Sequence, residues 1–165
     1  MAGRPSSALQ MTLLKAWHAW LAGGFLVAYM TADEDTYALH QFAGYAVLAA
    51  VAVRLAAGVI APPASPLRLP RPSWRATRAW LATRTGRHPL FAWLAVALLT
   101  LVGLTALSGA LADGSAAFED PHEAIGQAAL WVIAAHIAFV FYMYAGRKWL
   151  ARLGEQTTAR PKDCT

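Results

Sequence analysis

Five histidines, His18, His40, His88, His122 and His136, are the residues of this chain best equipped for chemistry. A neutral imidazole offers a lone pair to a metal, and its ordinary pKa lets it move protons near neutrality. His122 and His136 are fourteen residues apart. On a helix they fall within about 40° of one face and about 21 Å apart along the axis. One helix can therefore present two ligands, one above the other. The single Cys164 allows no internal disulfide, no zinc–thiolate cluster and no C-x-x-C-H haem attachment.

The elements that must carry these histidines follow from composition. Of 165 residues, 58% are hydrophobic and only 14% charged, with a mean hydropathy of +0.40. Soluble domains run near half apolar and a quarter charged. A water-soluble enzyme and a disordered chain are both excluded, and a small integral membrane protein of one domain is implied. Four apolar stretches, near 11–31, 37–60, 89–112 and 122–146, suffice to cross the bilayer as helices of about 20 residues. The expected fold is an all-α, four-helix membrane bundle. Residues 61–88 form an Arg- and Pro-rich loop, in which Ser73 can open a short interfacial helix anchored by Trp74, Trp80 and Leu81. Residues 153–165 read as a flexible tail.

Charge sorts by loop. Arg68, Arg71, Arg75, Arg78, Arg84 and Arg87 lie between spans two and three; Arg4 precedes span one, and Arg147, Lys148 and Arg152 follow span four. The opposite side holds Asp33, Glu34, Asp35, Asp113, Glu119, Asp120 and Glu123, with no Lys or Arg. The positive-inside rule then places both termini and the basic loop in the cytoplasm. The pI of about 9.8 reflects this topology, so nucleic acid is not an expected partner. Span one resembles a signal peptide in outline, but no small-x-small cleavage site precedes Thr31, and His18 within it favours retention.

Along alternating helices the histidines take matched depths. His18 lies in the inner half of span one and His136 towards the inner end of span four; His40 and His122 lie near the outer edge. Two stacked bis-histidine sites, His18/His136 and His40/His122, are what a four-helix bundle holding two b-type haems requires. Gly44 follows His40, and Gly126 follows His122, by four residues. Each glycine thus sits one turn from its histidine and clears room for a flat ring. Arg54, fourteen residues after His40, reads either as the partner of a haem propionate or as an arginine snorkelling to the headgroups. Glu123 reads as a proton relay or as a favourable charge at a helix N-terminus. His88, in Arg-His-Pro, stands outside the ligand pattern.

These residues resemble the bacterial di-haem cytochrome b561 family, close to the b-type cytochrome subunit of nickel–iron hydrogenases. The resemblance runs from about residue 11 to 148, through AWHAW, LHQFAGYAVLAAVAVRL, GRHPLFAWLAVALLTLVGLTALSG and PHEAIGQAALWVIAAHIAFVFYMYAGRK. It implies ligation by His18, His40, His122 and His136, a bacterial inner-membrane location, and electron transfer between the quinone pool and a surface partner. Two departures are visible: His-Ala-Trp replaces the family's His-Trp, and the chain has four spans where hydrogenase subunits commonly have one more. Candidate partners are the bilayer, quinone, and a basic periplasmic cytochrome c or a dehydrogenase or hydrogenase subunit; a homodimer is compatible with the pattern. The alternatives are a superoxide:quinone oxidoreductase and a haem-bearing anchor subunit.

Overall fold

The computed structural model describes residues 6–146 and Trp149. The proposed tail at 153–165, and Arg4, Arg147, Lys148, Arg152 and Cys164, lie outside the described residues. The described residues are all-α, with five helices: α1 (Ser7–Met30), α2 (Tyr37–Ile60), α3 (Trp74–Thr83), α4 (Leu90–Ala112) and α5 (Glu119–Phe141). Short 3-10 turns at Glu34–Thr36 and Ala116–Phe118 join α1 to α2 and α4 to α5. A π turn, Tyr142–Gly146, follows α5.

Three segments, Glu34–Ile60, Leu90–Ala112 and Ala116–Gly146, are long and apolar enough to cross a membrane. α1 has the length, 24 residues, but is not among these three. Large apolar side chains on the helices face outward; Phe42 is 72% exposed and Ile60 81%. In water such surface would drive association, whereas lipid tails solvate it at no cost.

The chain divides at Ala129, within α5, into two compact units. In the first, α1 and α4 both pack against α2. The core is a seam of small residues: Val47 and Val51 of α2 against Val102 and Ala106 of α4, flanked by Leu21 and Phe25 of α1. Membrane helices lack a hydrophobic drive to associate with one another, so close backbone approach through small side chains takes its place. Gly24 allows that approach, since a Cβ there would stand 3.0 Å from Val47. The second unit contains the latter part of α5, where Trp131 is exposed and His136 half-buried.

The loop after α2 folds back on its own end. Arg54, only 8% exposed, donates from Nη1 to the Leu67 carbonyl at 2.6 Å and lies over the Trp17 ring at 5.6 Å. Leu69 packs against Gly58, where any Cβ would collide with it. Prolines prevent a helix in residues 61–73. From Ser73, whose Oγ accepts from the Ala76 N–H, the chain enters α3 as the sequence pattern anticipated.

Candidate metal centre

The N-terminal ends of α2 and α5 bring His40 and His122 together, with ring centroids 6.0 Å apart and planes at 79°. Each ring is fixed by a backbone carbonyl. His40 Nδ1 lies 2.7 Å from the Ala28 oxygen, and His122 Nδ1 lies 2.9 Å from the Thr105 oxygen. A carbonyl can only accept, so both Nδ1 atoms carry the proton and both Nε2 atoms keep their lone pair. This is the tautomer a ligating histidine needs, with its other nitrogen anchored.

The two anchors have different origins. α1 ends at Met30, which leaves the carbonyls of its last turn without α-helical partners. Ala28 supplies one of these to His40. Thr105 lies within α4, and its carbonyl is reached from the side. That approach depends on Gly109, one turn further along, where a Cβ would stand 2.9 Å from His122 Cε1. Ser108 Oγ, 3.3 Å from His122 Nδ1, completes the seat. Tyr37 stacks on the other ring, with centroids 5.9 Å apart and planes 13° from parallel.

Both histidines line a cavity of about 840 Å³, together with Gly44, Gly109 and Gly126. Gly44 faces open space, with nothing within 4 Å of its Cβ position. The inner wall is apolar, from Phe25, Val47 and Val102; the rim is polar, from Asp113, Glu119 and Glu123. At that rim Asp113 accepts from Tyr37 at 3.3 Å, Gln41 at 2.9 Å and Tyr45 at 2.7 Å. These three donors follow one another by four residues on α2, a stripe the sequence displays beside His40. Together, Gln41's amide first and Tyr45's phenol next, they hold the Asp113 carboxyl below the usual carboxylate range.

The remaining candidates sit elsewhere. His18 is exposed on α1, its ring 6.5 Å from that of Trp17. His136 belongs to the second unit and is described there alone. His88 accepts from the Leu90 N–H at 3.3 Å and packs on Trp80 at 4.1 Å, so it stands at the start of α4. Gly109 and the Asp113 donors were not among the residues singled out from sequence. A glycine one turn beyond a threonine in an otherwise apolar helix was the available signal.

Among the described residues no three His, Cys, Asp or Glu side chains gather as a metal site by themselves. Two imidazoles can hold a metal from opposite sides when its remaining ligands come from elsewhere. Comparisons with protein-family models, with curated proteins and with solved structures find no match to this chain.

Proposed function

We propose that this chain is a membrane b-type cytochrome of the inner membrane, and that His40 and His122 are the axial ligands of one haem. The observation that carries the reading is the pair itself: two rings 6.0 Å apart, each locked at Nδ1 and each lining one cavity. Both imidazoles, each with its Nδ1 anchored, would hold the haem iron. A porphyrin brings four equatorial nitrogens, which answers the lack of a third protein ligand. The glycine-lined, largely apolar cavity suits a flat macrocycle, and its volume lies in the usual range for bound cofactors.

When bound, haem supplies one-electron exchange, and its potential is set by axial ligands, burial and nearby charge. The chain's own residues orient the two imidazoles through Ala28 and Thr105, keep the inner wall dry, and line the rim with carboxylates. Glu123 there can accept a proton that leaves with an electron from a quinol. Spacing along the sequence alone supports a second haem on His18 and His136, with Arg54 a candidate for its propionates. The chain is then a four-helix bundle with both termini in the cytoplasm, moving electrons between quinone and a surface partner. Seven outer carboxylates without a balancing cation favour a basic partner such as a periplasmic cytochrome c.

The test is a pyridine haemochrome assay on protein expressed with haem supplied. Two haems b per chain are expected, falling to one in His40→Ala and in His122→Ala. Absence of haem from the wild-type protein refutes the cytochrome reading.

A further inference from the structure

We propose that Arg75 and Arg78 of α3, with Trp74, form a binding site for an anionic phospholipid headgroup. The inference rests on the membrane reading of the chain and is independent of haem. No Asp or Glu occurs between Asp35 and Asp113, so the six arginines of the loop have no carboxylate of their own segment to neutralise them. Hydrogen-bonding and ring contacts then separate five of them into two groups. Arg68 donates to the Ala61 carbonyl, Arg84 lies over the Trp80 ring at 4.9 Å, and Arg87 lies over Phe91 at 5.5 Å. Arg75 and Arg78 instead project from exposed positions of α3, and with Trp74 they line a shallow depression.

The placement of α3 selects the partner. Its Trp74 packs on Trp93 at 4.8 Å, and Trp93 Nε1 donates to Thr77 Oγ1 at 3.2 Å. Trp93 lies in the first turn of α4, a membrane-crossing candidate, so α3 abuts the end of a span. That is headgroup level, where indoles and arginines concentrate. Trp74 remains 69% exposed and Leu81 53%, an apolar surface that acyl chains would cover while the guanidiniums meet phosphate. Guanidinium and phosphate form charge-assisted, often paired, hydrogen bonds. A soluble acidic protein would satisfy the arginines but would not account for an exposed tryptophan and leucine at the bilayer edge.

The experiment uses the full chain, reconstituted in vesicles of equal phosphatidylglycerol and phosphatidylcholine, then extracted for native mass spectrometry of retained lipid. Phosphatidylglycerol is expected to be retained preferentially. The double variant Arg75→Gln/Arg78→Gln should lower that preference on the order of tenfold or more. The double variant Arg84→Gln/Arg87→Gln removes the same charge but should leave the preference unchanged. Equal losses in the two variants would mean diffuse attraction and overturn the site, as would a wild-type protein without preference. Flotation with neutral vesicles separates the two levels: a chain that fails to float fails the membrane reading itself.

Discussion

Gly109 and Gly44 line the same cavity, yet a methyl group added to each should act in opposite ways. At Gly109 it would meet the His122 ring, 2.9 Å from Cε1. The ring must then turn; overpacking and the lost bond to the Thr105 carbonyl cost about 2–3 kcal/mol together, more than the roughly 0.5–1 kcal/mol that alanine gains over glycine in a helix. Gly109→Ala should therefore melt lower even without haem and should release the outer haem. At Gly44 the methyl group meets nothing within 4 Å. Replacing a mid-helix glycine with alanine stabilises a helix by roughly 0.5–1 kcal/mol. Gly44→Ala should thus melt higher in its haem-free form while retaining less haem, because the methyl group stands in the space a porphyrin would fill. Thermal unfolding of haem-free protein, read beside the haem-to-protein ratio, separates the two. If Gly44→Ala keeps its full haem content, the cavity is not the haem slot.

The tie between α2 and α4 sets the outer rim at the scale of elements. Asp113 stands at the C-terminal end of α4, where the helix dipole disfavours a negative charge. Three donors from one stripe of α2, Tyr37, Gln41 and Tyr45, outweigh that penalty and hold its carboxyl below its ordinary 3.8. The folded protein keeps this charge to lower pH than the unfolded chain does. The tie's stabilisation is therefore complete above 3.8 and drains away as pH falls through the folded-state value. Asp113→Asn should melt below wild type at neutral pH, with the difference shrinking only below that point. Melting curves taken from neutrality into the acid range decide it, and a difference that persists unchanged in acid refutes the charge-dependent tie. Such a contact was not legible beforehand, although the helices were. The stretch 37–60 was readable because apolar runs between turn residues bound a helix directly, and α2 covers those residues. α3 followed from its Ser73 cap. Asp113 is 68 to 76 residues from its partners, and no local pattern encodes which helix face it meets. The same holds for Gly109, whose importance appears only once His122 is set against α4. The pairing of His40 with His122, by contrast, was read from their spacing along alternating helices, and the two rings lie 6.0 Å apart.

At the scale of the whole molecule, the distribution of charge matters more than its sum. A net charge of +5 combines an arginine-rich segment, from Arg68 to Arg87, with turns that hold seven carboxylates and no Lys or Arg. During insertion, basic segments are retained on the cytoplasmic side, while acidic ones have little influence on orientation. The segment joining α2 to α4 should therefore face the cytoplasm and the turn joining α4 to α5 the opposite side. The orientation bears on the proposed function, because it would put the His40/His122 cavity and its acidic rim on the outer surface, open to the basic redox partner proposed above. Cys164 is the sole cysteine, so Cys164→Ser provides a background for single reporters. Thr85→Cys and Ser115→Cys place one reporter after α3 and one between α4 and α5. With a membrane-impermeant maleimide, intact spheroplasts should label Ser115→Cys alone, and inverted vesicles should label Thr85→Cys alone. The reverse pattern would turn the cavity towards the cytoplasm, and the redox partner would then have to be sought there.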